Sequence, residues 1–213
     1  GNVAGVYTAA NGHDYYGNDV GGTAGDDAWA GTLVREAVAA ADAAGFNFAP
    51  YDLDGDCYVD VVAIVHQGEG QEAGGTATDI WSHRWNLNSS FALGRSNGGE
   101  YTTNDNCIAN PATKVKINDY IIQPETQWGN MTTIGVFSHE YGHALGLPDL
   151  YDTDNSSEGI GSWSLMASGS WTGVVRSGDS PAHMDPWCKY KLGWVTPTEV
   201  TGVRTNQPIQ QAS

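Results

Sequence analysis

Residues 139–149 read HEYGHALGLPD, and this stretch decides how the chain around it has to fold. The segment from Thr133 to Leu145 is predicted to be a helix, with the glycine and the proline that follow it as stop signals. On such a helix His139 and His143 project from one face about 6 Å apart, which is close enough to share one metal ion.

Glu140 lies beside the two histidines, and the HExxH spacing is typical of zinc hydrolases. Its carboxylate can reach a zinc-bound water without being a ligand, take a proton as the water attacks a carbonyl, and pass it to the leaving amine. The alternative is a buried helix whose histidines have ordinary hydrogen-bond partners. The spacing favours zinc as the cofactor, with His139 and His143 as ligands and Glu140 as the catalytic base.

A third zinc ligand has to come from the chain after the helix. Gly146 permits the left-handed conformation that turns the chain back, and Asp149 follows it closely. Two histidines, Asp149 and a water would complete an open tetrahedral site. Asp149 could instead cap a turn, and Glu158 in the following polar loop is also within reach, so the two carboxylates compete for this position.

The rest of the chain mixes helix and strand patterns, which indicates an α/β (α+β) fold. An amphipathic helix with acidic residues at its start is predicted from Asp26 to Gly45. Val59 to His66 is β-branched and apolar, as in a central strand. Lys114 to Glu125 alternates like a half-exposed strand near a sheet edge, whereas residues 68–75 and 94–106 are predicted to be loops.

Composition restricts the partners. Nine basic against 25 acidic residues give a formal charge of −16, which repels nucleic acid and anionic lipid surfaces. No apolar run approaches the roughly 20 residues of a membrane-spanning helix. The chain begins without Met and without a signal peptide, so we expect a processed fragment of a longer precursor from which a signal or pro-segment has been removed. We also expect the chain to be a monomer.

The three cysteines allow at most one disulfide bond. Cys188 lies in a short helix predicted from Asp185 to Leu192 and is expected to be a buried free thiol. Cys57 and Cys107 are then the pair that remains.

Two loops are rich in carboxylates and are candidate calcium sites. The first loop carries Asp52, Asp54, Asp56 and Asp60. Their spacing is similar to that of an EF-hand loop, but Ala63 occupies the position where a glutamate is needed, so a plain acidic turn is an equal alternative. The second loop covers residues 152–155, where a solvated turn is the alternative.

Several motifs resemble the immune inhibitor A family of secreted bacterial metalloproteases. The residues that carry the resemblance are HEYGHALGLPDLYD, the downstream GIGSWSLMASGSW and PWCKYKLGW, and the upstream YYG, YDLDGDCYVDVVAIVHQGEGQEAGG and IWSHRW. Together they cover roughly Tyr15 to Val195.

The resemblance implies a metzincin-like zinc-protease fold, with a twisted mixed sheet and helices in an upper lobe and a smaller, irregular lower lobe. We interpret residues 1–213 as a single catalytic domain, with the upper lobe at about 1–146, the lower lobe at about 147–213 and a cleft between them. The resemblance also implies a methionine turn beneath the metal at Met166. Such clefts add an extended peptide to a strand edge, and Lys114 to Glu125 has that character.

The leading hypothesis is a secreted zinc endopeptidase that acts on protein or peptide substrates. A catalytically inactive binding module stabilised by zinc and calcium is the first alternative, and a closed site with four protein ligands would favour it. Zinc hydrolysis of a non-protein amide, such as a cell-wall crosslink, is the second. Glu140 argues against the inactive module, because a purely structural site has no use for a carboxylate there.

Overall fold

The computed structural model describes residues 2–154, 156–203, 205–206 and 208. The chain falls into two compact units, residues 1–132 and 133–213. The interpretation as one catalytic domain with lobes that meet near residue 146 stays a prediction. No helix in the described part of the chain is long and apolar enough to cross a membrane.

The described part of the first unit contains helices and two small sheets. Its elements are α1 (His13–Gly17), α2 (Ala30–Ala43), β1 (Val62–Glu69), β2 (His83–Asn86), α3 (Leu87–Ala92), β3 (Tyr101–Asn106), β4 (Lys114–Ile117), β5 (Asp119–Gln127) and β6 (Asn130–Met131). The larger sheet has the order β1-β5-β2, in which β5 is parallel to β1 and antiparallel to β2, and β6 pairs with the end of β5. The mixture of helices with parallel and antiparallel strands confirms the predicted α/β class.

The strand positions within the sheet differ from the prediction. Lys114 to Glu125 is two strands rather than one, and β5 lies in the centre of the sheet, whereas β1 has a single strand neighbour. Pro124 is tolerated in β5 because it falls between Ile122, the last residue paired with β2, and Thr126, the first paired with β6. A central strand has no free edge, so β5 does not offer the peptide-docking edge that the alternation indicated.

The predicted loop at residues 94–106 is partly a strand. Its second half forms β3, which pairs with β4 in a two-stranded antiparallel sheet. The prediction was wrong because the polar composition of this segment hid the pairing partner, which lies later in the chain and cannot be identified from local pattern.

Helix α2 confirms the amphipathic pattern, but its start differs from the expected acidic cap. Trp29 is the N-cap residue and makes no side-chain cap bond. Asp26 instead pairs with Arg95 at 2.8 Å, and Asp27 is buried. The helix contributes Val34 and Val38 to the core of the unit. Other elements contribute Leu87, Val115, Ile117, Tyr120 and Ile122.

The predicted disulfide joins Cys57 to Cys107, with their Cα atoms 5.3 Å apart. Cys57 has a φ of 71°, a left-handed conformation that ordinarily favours glycine. The disulfide holds this residue at the end of the acidic turn. Cys188 is a free thiol and is fully buried, as predicted.

The described part of the second unit contains two helices and short 3-10 turns. Its elements are α4 (Ile134–Ala144), the turns Gly161–Trp163 and Ser168–Trp171, and α5 (Pro186–Lys191). Both helices confirm the predicted positions closely. The structure adds that Asp185 is the N-cap of α5 and that Gly193, which follows its end, is left-handed. A small apolar cluster of Leu147, Met166 and Cys188 forms its core.

Candidate metal centre

Helix α4 ends in a turn that brings the chain back over its own last residues. The N–H of Gly146 donates to the carbonyl of His143 at 2.9 Å, and the N–H of Leu147 donates to that of Gly142 at 3.1 Å. This pair of bonds is a Schellman motif, and Gly146 has the positive φ, 92°, that the motif requires. The structure therefore confirms that helix α4 ends at the predicted glycine, Gly146.

Backbone carbonyls orient both histidine rings. His143 Nδ1 lies 2.8 Å from the carbonyl oxygen of Leu147, and His139 Nδ1 lies 2.8 Å from that of Leu165. A carbonyl oxygen can only accept, so each Nδ1 carries the hydrogen and each Nε2 of the neutral ring keeps a lone pair. Metal-binding histidines in proteins are oriented in this way.

The two free ring nitrogens and one carboxylate oxygen form a tight triangle. His139 Nε2 and His143 Nε2 are 3.1 Å apart, and each is 3.1 Å from Asp149 Oδ1. Asp149 Oδ1 is buried and accepts no hydrogen bond despite these short distances. In the neutral tautomers these three atoms present lone pairs to one another, an arrangement that a cation between them would stabilise.

The triangle fits zinc. Ligand atoms about 2.0–2.1 Å from a tetrahedral zinc ion lie about 3.3 Å from one another, close to the 3.1 Å found here. Two imidazole nitrogens and one carboxylate oxygen are also the kind of ligand set that leaves a fourth position open.

The charge states also suit a cation. Burial raises the pKa of Asp149. The rings of His139 and His143, which can donate from Nε2 when they are protonated, and the hydroxyl of Tyr151 outweigh burial and hold that pKa well below its usual range. Burial lowers the pKa of His143, but the Asp149 carboxylate and the Leu147 carbonyl outweigh it, so the net pKa is raised. Without metal, a proton therefore competes for the position that a metal would take.

Glu140 is buried, with 6% of its surface exposed, on the helix that carries both histidines. Burial raises the pKa of Tyr151 to about 12, and the charges of Asp149 and Glu140 add to this effect. The Tyr151 ring stacks on that of His139, with centroids 6.4 Å apart. The carboxylates of Glu140 and Asp149 thus both act on the Tyr151 hydroxyl.

Two glycines let the segment that contains Met166 and Ser170 approach α4. A side chain on Gly142 would collide with the sulfur of Met166, and one on Gly135 would collide with the carbonyl of Ser170. The two glycines are two helical turns apart and so share a face. Met166, the residue matched to the methionine turn, is fully buried against that face.

The competing candidate for the third zinc ligand, Glu158, lies elsewhere. Among the described residues, Glu158 is not part of the group formed by His139, His143 and Asp149, and its side chain is exposed. The structure thus brings Asp149, not Glu158, to the histidines.

The two acidic loops were predicted as candidate calcium sites, and the positions of their carboxylates do not decide whether calcium binds. Asp52, Asp54 and Asp56 have carboxylate oxygens within 4.8 Å of one another, whereas Asp60 is outside that group. Backbone N–H groups already donate to these carboxylates, as in a plain acidic turn. In the second loop Asn155 lies outside the described residues. Calcium stays a prediction.

Sequence pattern did not identify the groups that orient the ligands. The Leu147 and Leu165 carbonyls are backbone atoms, which no residue type marks. Ser164 and Asp185 are buried polar side chains near Met166, and a buried aspartate before a helix signals only an N-cap.

The mixed α/β fold and the helix-borne histidines place the chain in the broad class of domains that carry an HExxH helix. The model of the immune inhibitor A peptidase M6 catalytic domain matches residues 1–195, and the chain belongs to this family. The resemblance seen in the motifs is thereby confirmed.

Two relatives illustrate the similarity. The chain is 36% identical over 211 residues to the pre-pro-metalloprotease PrtV of Vibrio cholerae serotype O1. That alignment covers 90% of this chain and 22% of the Vibrio protein. It is 34% identical over 206 residues to immune inhibitor A of Bacillus thuringiensis subsp. alesti. That alignment covers 85% of this chain and 28% of the Bacillus protein. The chain thus spans about a quarter of the length of these relatives.

Proposed function

We propose that this chain is the catalytic domain of a secreted zinc endopeptidase. The observation that carries the proposal is the triangle of His139 Nε2, His143 Nε2 and Asp149 Oδ1, with edges of 3.1 Å and lone pairs facing one point. Family membership and the name of the Vibrio relative, a metalloprotease, support the same activity.

In the proposed reaction His139, His143 and Asp149 hold zinc, which when bound supplies a Lewis acid that polarises the scissile carbonyl and acidifies water. Glu140 accepts a proton from the attacking water on a carboxylate oxygen and passes it to the leaving amine nitrogen. The Leu165 and Leu147 carbonyls keep the rings of both histidines in the tautomer that leaves Nε2 free.

The proposed substrate is a protein or peptide, and the proposed location is extracellular. The name of the Vibrio relative includes a pre-pro segment, which supports release of the present domain from a precursor. Three protein ligands, with Glu158 outside the described group, favour an open site over the closed site of a binding module.

The test is cleavage of unfolded casein by the zinc-loaded chain, run beside Glu140→Ala. We expect the variant to lose about two to four decades in rate, because the proton acceptor is gone, while its zinc content stays equal to that of the parent. Glu199→Ala, which removes an exposed glutamate of the same unit, is the control and should match the parent.

Three other outcomes would each change the assignment. No cleavage by a parent that holds one zinc would favour the binding module or a zinc amidase on a non-protein amide. Loss of zinc from Glu140→Ala would make Glu140 a ligand rather than a base. Equal activity in both proteins would remove Glu140 from the mechanism.

A further inference from the structure

A buried hydrogen-bonded pair lies behind the turn that contains Met166. Ser164 is fully buried and Asp185 is 5% exposed. The Ser164 hydroxyl donates to Asp185 Oδ2 at 2.7 Å, and the Ser164 Oγ accepts from the N–H of Met166 at 3.1 Å. The Ser164 hydroxyl therefore acts both as a hydrogen-bond donor and as an acceptor.

The N–H of Met166 and the carbonyl of Leu165 belong to the same peptide unit. That carbonyl accepts from His139 Nδ1 at 2.8 Å. The hydrogen bonds therefore form one unbroken chain, from the Asp185 carboxylate through the Ser164 hydroxyl and the 165–166 peptide to the ring of His139. Every bond in the chain has its donor pointing toward Asp185.

Such a chain has an electrostatic direction. Hydrogen bonds in series polarise one another in a low-dielectric interior. A negative charge at one end draws the hydrogens toward it, makes the Leu165 carbonyl a stronger acceptor, and makes His139 Nε2 a stronger electron donor. Carboxylates that bond directly to metal-binding histidines have this effect on ligand basicity.

We propose that Ser164 and Asp185 are positioning residues for the metal centre, which act through the 165–166 peptide on His139. This inference rests on the proposed zinc site. It assigns a role to two buried residues that lie outside the group of His139, His143 and Asp149.

Asp185 has a second role that a test has to separate from the first. Its Oδ1 accepts from the N–H groups of Trp187 and Cys188 and so caps α5. Burial raises the pKa of Asp185, but its bonds from Cys188, Ser164 and Trp187 outweigh this effect and keep the group ionised. The cap uses Oδ1 and the chain uses Oδ2, so Asp185→Asn can keep the cap and remove the charge.

The experiment measures zinc affinity by competition with a chelator, and the visible absorption of the cobalt-substituted chain, for the parent, Ser164→Ala and Asp185→Asn. We expect Ser164→Ala to lower zinc affinity by about 10- to 100-fold and to shift the cobalt bands. Asp185→Asn should change both in the same direction. The control is Ser170→Ala. Ser170 is also buried in this unit, with 4% of its surface exposed, but its hydroxyl donates to the Ala167 carbonyl and takes no part in the series of hydrogen bonds from Asp185 to His139.

The outcomes separate this inference from the proposed function. If the parent binds no zinc, both the proposed function and the positioning role of Ser164 and Asp185 are overturned. If the parent binds zinc but Ser164→Ala and Asp185→Asn match Ser170→Ala in zinc affinity and cobalt spectrum, only the positioning role is overturned. If Ser164→Ala does not fold, Asp185→Asn decides by the same two readouts.

Discussion

At the scale of single residues, the candidate centre depends on two histidine rings that backbone carbonyls hold with both Nε2 atoms turned toward Asp149 Oδ1. His139 and His143 could be placed because the geometry of one helical turn is local. Asp149 was one of two candidates, since a short turn restricts where it can go. The Leu165 carbonyl comes from a distant part of the chain, and its approach depends on the space left by Gly142, which no local pattern reveals.

The choice between Asp149 and Glu158 can be tested directly. Asp149→Ala should lower zinc affinity by more than about 100-fold, because it removes an ion ligand and not only a supporting bond. Glu158→Ala should leave affinity within about threefold of the parent, since its side chain lies outside the group. Zinc competition titrations on both variants decide, and the reverse ranking would make Glu158 the ligand.

At the scale of secondary-structure elements, helices with clear stop signals were predictable and strand partners were not. Helices α4 and α5 have a glycine after the last turn, and both end there. The positions of β1 and β5 in the sheet were mispredicted, because an apolar run indicates burial but not how many strands pair with it. Pairing depends on contacts between segments far apart in sequence.

The stop of α4 makes a prediction of its own. Gly146→Ala should lower the free energy of unfolding by about 1–2 kcal/mol, because a side chain disfavours a positive φ, and a φ of 92° is what this position adopts. Nothing lies within 4 Å of the added carbon, so the cost is conformational. Zinc affinity should also fall, since the turn places the Leu147 carbonyl on His143.

Gly12→Ala is the matched control for the Gly146 substitution. Gly12 also has open space around the added carbon, but its φ is −73°. Its unfolding free energy should change by less than about 0.5 kcal/mol. Urea unfolding of both variants measures the difference, and equal effects would show that the left-handed conformation is not what makes Gly146 important.

At the scale of the whole molecule, the net charge of −16 predicts an acidic surface, but pH dependence is decided by groups that composition does not mark. His66 is one of them. It is 6% exposed, and its Nε2 is buried without a hydrogen-bond partner. Burial lowers the pKa of His66 to about 4, an effect that the Gln67 carbonyl opposes. Its position in β1 could be predicted, whereas its burial depends on the packing of the whole first unit.

The sign of the effect follows from proton binding. Between pH 6.5, the pKa of an unperturbed histidine, and pH 4 the unfolded chain protonates His66 and the folded chain does not. The unfolded state binds more protons in this window, so stability rises with pH and is lost as pH falls. The full loss attributable to His66 is about 3 kcal/mol.

His66→Asn should therefore flatten the acid side of the stability profile. The parent loses about 3 kcal/mol more than the variant between pH 6.5 and pH 4, although the variant is less stable near neutral pH because it leaves a small cavity. Urea unfolding of the metal-free chains measures this difference without a contribution from acid release of zinc. His183→Asn replaces an exposed histidine and should follow the parent. Parallel profiles for the parent and His66→Asn would mean that His66 takes up its proton in the folded state, with its ring open to water at acid pH.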